Sequence, residues 1–357
     1  FTQSGGWTSS TLSGSTGAGV ALRLSGPGSG VGAIQSGSTN DVAATNYSAG
    51  AWSSLDDLAV STGGAPTLAA AGGVTYLAYQ APSFFYYFGI RGGGVWNAAN
   101  EPVGGSGSSQ RFGPLPPSLA VAGGQPVIAF IDGTSSQIVV QTRASGVWQS
   151  AQSVAAAPAT TSVAPVVVAG TASDPFDLMV VFPGSAGALE YATRVGGSWS
   201  SAAAIANALT NQTPSAAVTP AGTVLLAYRG QDGNAYFDSY SSGSWAPTSP
   251  IGPSPATSVA STPAVAPGIG SAQAEVVYLD SLTGGAHHTR LVGGSWTAPV
   301  LVGGSGLTSV AIDSDQSVSP APAQRPWTLV SLGISLVLIG SLVARRRIDR
   351  EVAEGPV

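Results

Sequence analysis

The residues of this chain best suited to grip a ligand recur at a fixed place before a tryptophan. Arg91, Arg143 and Arg194 each stand five residues before a Trp, at Trp96, Trp148 and Trp199. Tyr47 and Tyr240 hold the same place before Trp52 and Trp245, and Arg290 stands six before Trp296. Glu190 adds a carboxylate acceptor upstream of Arg194. A guanidinium or phenol beside an indole supplies hydrogen-bond donors next to a flat apolar face. Repeated along a chain, that pair makes a series of equivalent binding subsites. The pair also has a purely structural use, in which an Arg at a strand end stacks on the ring and keeps its head in water. Nothing in the spacing of acids, His or Ser resembles a catalytic set, so no catalytic residue is assigned.

The elements that must position these side chains are short strands. Trp7, Trp52, Trp96, Trp148, Trp199, Trp245 and Trp296 each close a Gly-containing turn, such as GGVW, SGVW or GGSW, at intervals of 44 to 52 residues. A period of about 40–50 residues is that of a propeller blade of four strands. Each period begins with a Pro-led apolar run, as in PSLAVAGG at 117–124. A stronger apolar strand follows (PVIAFID, 126–132), then an alternating strand (QIVVQTR, 137–143), then a strand starting at the Trp. Gly in the turn permits a positive φ, and a large ring at the strand start seals the space against the next blade. The fold expected is all-β, a six- or seven-bladed β-propeller. GGWTSS at the start reads as the last strand of a blade and GLTSVAID (306–313) as the first strand of one. Pairing the two ends closes the ring and removes its sheet edges.

Composition agrees. Of 357 residues, 49 are Gly and 25 Pro, while 43% are hydrophobic and only 8% charged. That is too apolar for a disordered chain and too rich in turn formers for long helices. Net charge is −5 with few cations outside one cluster, which argues against a nucleic-acid partner. Cysteine is absent, so disulfides and thiolate metal sites are excluded. The only histidines, His287 and His288, are neighbours; on a strand neighbours point to opposite faces and could not easily share one metal. Asp132, Asp232 and Asp280 read as turn formers, and no cofactor or metal is expected.

Residues 326–344 run PWTLVSLGISLVLIGSLVA without a charge, and Arg345, Arg346 and Arg347 follow. An uncharged run of that length predicts a transmembrane helix, with Trp327 at one interface and the arginines on the cytoplasmic side. The expected organisation is an extracytoplasmic propeller over 1–312, a Pro-rich linker over 313–325, the helix from Pro326 to Ala344, and a cytoplasmic tail over 345–357.

The unit "P-x-apolar run, apolar strand, D-G-x, strand, x-G-x-W", clearest in QDGNAYFDSYSSGSW (231–245), resembles the fucose-binding type of lectin propeller across about residues 5 to 303. The turns lack the Asp of sialidase boxes. The resemblance implies sugar held between adjacent blades by an aromatic ring, an Arg and a Glu. It makes Arg91, Arg143, Arg194, Arg290, Tyr47, Tyr240, Glu190 and the tryptophans from Trp96 to Trp296 ligand-contacting candidates. Its implied partners are glycans at a cell surface. A structural or protein-binding propeller that contacts surface proteins is the other reading, since a ring is a rigid platform whatever it binds.

Overall fold

The computed structural model describes residues 9–12, 16–26, 29–48, 51–103, 115–158, 161–172, 174–252, 257–305, 307–314, 327–333 and 336–342. Six sheets come from the repeats. The third is representative: Ser118–Ala122 pairs with Gln125–Asp132, which pairs with Gln137–Ala144. The two-residue strand Val147–Trp148 and then Gln152–Ala156 both lie along Gln137–Ala144. The outer strand is therefore broken just after the Trp.

The innermost strands are Thr16–Gly26, Thr67–Ala71, Ser118–Ala122, Val166–Ala169, Ser215–Val218, Ala264–Pro267 and Leu307–Ser314. Each neighbours the next, and Leu307–Ser314 neighbours Thr16–Gly26, so the circle closes. The six repeat blades are thus joined by a seventh sheet, ordered Leu307–Ser314, Trp327–Gly333, Leu336–Leu342, Ser9–Leu12. Both ends of the chain contribute to that sheet. Asp313 fastens it to the first blade, accepting from the Leu24 amide at 2.8 Å and pairing with Arg23 at 3.4 Å. Asp313 and Ser314 therefore belong to the propeller, not to a linker.

The segment expected to be a helix from Pro326 to Ala344 instead contributes two antiparallel strands, Trp327–Gly333 and Leu336–Leu342. Among the described residues no helix is long and apolar enough to cross a membrane. An uncharged apolar run reads the same for a helix and for strands. Trp7, the linker beyond Ser314 and the tail over 345–357 lie outside the described residues.

The core is a set of layers between blades. Phe88, Ile128, Phe130 and Val139 pack one boundary, and Ile131, Val140, Val180 and Phe182 the next. The turns before Trp96, Trp148, Trp199, Trp245 and Trp296 use positive φ at both central residues, as at Gly93 (59°) and Gly94 (89°), the geometry that matches strand twist. Two turns put Ser there instead, Ser145 at 51° and Ser242 at 52°. Asp132, Asp232 and Asp280 accept from turn amides two residues on, as expected of turn formers.

A left-handed conformation costs an L-residue about 1–2 kcal/mol, partly offset by the greater unfolded-state freedom of Gly. Ser145→Gly and Ser242→Gly are accordingly expected to stabilise the ring by about 0.5–1 kcal/mol each, seen as a rise in urea midpoint at constant m-value. An unchanged or lower midpoint would contradict the turn assignment.

Candidate functional site

The two-residue hairpin before each Trp sets the register of the candidate residues. Tyr47, Arg91, Arg143, Arg194 and Tyr240 lie directly opposite Trp52, Trp96, Trp148, Trp199 and Trp245. Each Trp leans on the preceding blade. Trp148 meets Phe88 edge-on at 5.2 Å, Trp245 meets Tyr191 at 5.6 Å, and Trp296 meets Phe237 at 5.3 Å. The rings are half-buried. Three indole N–H groups, on Trp52, Trp148 and Trp245, are buried without a hydrogen-bond partner.

The boundary between the second and third blades is the most fully built. Glu101, on the outer strand Val95–Pro102 of the second blade, takes Arg143 of the third in a two-point ion pair at 2.9 and 3.0 Å. The guanidinium lies 5.5 Å over the Phe88 ring. Arg143 and Glu101 keep 17% and 27% of their side-chain surface, so the pair is reachable from solvent. One boundary on, Gln152 takes the place of Glu101. It accepts from Trp199 Nε1 at 3.2 Å and Arg194 at 3.4 Å, while Arg194 also approaches Asp177 at 3.5 Å and its own Trp199 at 5.9 Å.

Register shows why these acceptors are equivalent. Glu101 lies opposite Phe88 and Gln152 opposite Val140, each eight residues before its Trp. The matching residue of the first blade is Asp56, opposite Ala44. It stands on the blade before Arg91, whose Nε is buried without a partner and whose basicity is lowered by burial. In the fourth and fifth blades the place holds Ala203 and Ser249, and the following blades offer Tyr240 and Leu291 instead of Arg. Three consecutive boundaries thus carry an acid or amide, an Arg and a Trp. Asp56, Glu101 and Gln152 were not singled out in the sequence. The signal for them is an acceptor four or five residues after the Trp.

Arg290 and Glu190, unlike the other candidates, are neither a Trp nor the residue opposite one. Leu291, not Arg290, lies opposite Trp296. One residue of offset turns Arg290 to the opposite face of its strand. There it binds Glu275 at 2.9 and 3.1 Å, and Glu275 also receives His288 at 2.8 Å and is fully buried. Glu190 shares a face with Arg194, but four residues of strand, about 13 Å, separate them. Around Trp296 the boundary is instead a cleft of about 560 Å³ lined by Phe237, Asp238, Pro247, Pro250, Gln273 and Leu291. His287 stacks on Tyr278, on the face away from His288.

No family model matches the chain, and no curated protein does. Solved structures do. AofleA from Arthrobotrys oligospora is 12% identical, with TM-score 0.57 over 84% of this chain and 90% of that one. SapL1 lectin, solved in complex with alpha methyl fucoside, is 16% identical, with TM-score 0.56 over 82% and 98%. The β-propeller domain of Cps50 (Swd1) from Myceliophteria thermophila is 13% identical, with TM-score 0.57 over 94% and 100%. At these identities the likeness establishes the propeller fold.

Removing Arg143 strands Glu101 at a half-buried boundary. Arg143→Ala is expected to lower stability by about 1–3 kcal/mol, and Arg143→Ala with Glu101→Ala by less than the sum. A double-mutant cycle by urea unfolding measures the difference; additive losses would show that the pair contributes no coupling.

Proposed function

We propose that the protein is a non-enzymatic carbohydrate-binding propeller whose sugar sites are the boundaries carrying Asp56 and Arg91, Glu101 and Arg143, and Gln152 and Arg194. The observation that carries this reading is the convergence of Glu101, Arg143, Phe88 and Trp148 across one blade boundary. A charge-paired donor and acceptor beside the half-buried Trp148 indole matches a pyranose, which offers hydroxyls at its edge and C–H groups on its face. The shared fold with SapL1 lectin supports the reading by analogy, as the fold of Cps50 supports other uses. Three sites on consecutive blades would act together on a surface bearing many glycans.

The second reading, a platform for proteins, rests on exposed valines at the tips of the same Trp turns. Val95, Val147 and Val195 keep 63%, 64% and 56% of their surface. Contact through those tips would not need the arginines.

A glycan array with the full chain in detergent, beside the Arg143→Ala, Arg194→Ala variant verified as folded by circular dichroism, separates the two. Binding that falls by about tenfold or more in the variant, roughly the loss of a charged hydrogen bond, fits the sugar reading. No binding to any glycan by the folded protein would refute it and leave the protein platform.

Membrane attachment is proposed as well, with the propeller extracytoplasmic, residues 326–344 crossing once and the tail cytoplasmic. Its support is the uncharged run ending in Arg345–Arg347. Strands of seven residues are shorter than the roughly 9–11 a spanning strand needs, so crossing requires the segment as a helix, released from the seventh sheet. Carbonate-washed membranes are expected to retain the full chain and to lose a version ending at Gln324. Equal release of both would remove the anchor.

A further inference from the structure

One strand position has the same task in three blades. Seven residues before the Trp, Thr45 and Thr289 each donate their hydroxyl to the carbonyl of the residue after the Trp, Ser53 and Thr297, at 2.7 Å. Gln141 does the same to Gln149 with its amide at 3.0 Å. The backbone around this bond is constant, since the amide after the Trp donates to the carbonyl six before it in each case. The fifth blade keeps that backbone bond, Ala246 to Ser239 at 2.7 Å. At the donor position, however, it carries Asp238.

Asp238 is 1% exposed and neither carboxyl oxygen makes a hydrogen bond of good geometry; only the Thr248 and Tyr228 hydroxyls, more loosely placed, favour its charge. An ionised carboxylate only accepts, so it cannot make the bond that Thr or Gln makes here, whereas the neutral acid can. We propose that Asp238 is a proton-operated latch on the Trp245 turn, donating to the Ala246 carbonyl when neutral and releasing that turn when ionised.

The surroundings favour the neutral acid. On the adjacent strand stands Tyr228, which is buried and donates to Thr248 at 3.5 Å, and Thr248 in turn donates across the boundary to the Ala206 carbonyl of the fourth blade at 3.0 Å. On the same strand face are Tyr236, held by Asp232, and Tyr240, which packs with Tyr191 of the fourth blade and with Trp245. Arg229, on the adjacent strand, is turned to the Val259 carbonyl. The imidazoles belong to the sixth blade, on Tyr278 and Glu275. Burial raises the Asp238 pKa to about 6, with Thr248 and Tyr228 opposing the rise. Because the folded-state value is raised, the latch contributes stability at low pH and loses it as pH rises through about 6. The boundary it holds contains Tyr240 and Trp245, so the state of this aromatic cleft becomes dependent on acidity. The inference stands whether or not the cleft binds sugar.

Hydrogen exchange of single amides tests it, after correction for the intrinsic pH dependence. Protection of the Ala246 amide is expected to fall about tenfold or more between about pH 5 and 7.5. The Ser53 and Gln149 amides, pinned by Thr45 and Gln141, serve as controls within the same molecule and should stay flat. Asp238→Thr, which installs the donor of the other blades, and Asp238→Asn should abolish the fall at Ala246. A flat Ala246 profile in the unsubstituted protein would overturn the latch, as would an equal fall at all three amides or a fall that survives in a folded variant. If neither variant folds, the internal controls still decide.

Discussion

Everything in this ring depends on covering the faces of its sheets. A four-stranded sheet with apolar side chains on both faces is stable only when another sheet lies on each face, and a closed circle is the arrangement that leaves none bare. The Trp turn makes each contact fit. Its ring reaches from the start of the outer strand onto the preceding blade, where the gap between radiating sheets is widest. Trp148 on Phe88 and Trp296 on Phe237 use the same edge-on geometry at different boundaries. Such contacts combine large apolar burial with a preferred orientation.

The same turn builds the candidate sites as a by-product of closure. The residue opposite the Trp must face the neighbouring blade, because side chains alternate across a strand. Whatever stands there meets the outer strand next door. With Arg143 and Glu101 the result is a paired charge at the mouth of the boundary. With Leu291 and Ser249 it is a cleft without that ion pair. Blades can therefore diverge in ligand chemistry while the ring stays intact, since the substituted positions lie at the rim and not in the layers of Val, Ile and Phe below.

The buried polar residues mark where individual blades depart from the repeat. Glu275, His288 and Arg290 form a closed network on one face of the sixth blade, with the carboxylate receiving two side chains and the Ile269 amide. Asp238 is the contrasting case of a buried carboxylate without such partners. Low polarity makes the first rigid and the second sensitive to its protonation state.

Much of this was legible in the sequence. The spacing of the tryptophans, the Gly before them and the two-residue alternation of the third strands determine a propeller and put Arg143, Arg194 and Tyr240 beside their rings. These are local consequences of strand geometry, which depends on residues a few positions apart. What only the tertiary structure decided lies further away. Glu101 is 42 residues from Arg143, and only the packing of one blade on the next brings them together. Arg290 differs from Arg194 by a single residue of offset, and the pairing of Leu291 with Trp296 turned it to another face and another partner. The apolar run after Pro326 has no such local marker. Its hydrophobicity suits a bilayer or a sheet equally, and only the pairing with Leu307–Ser314 and Ser9–Leu12 identifies Trp327–Gly333 and Leu336–Leu342 as strands.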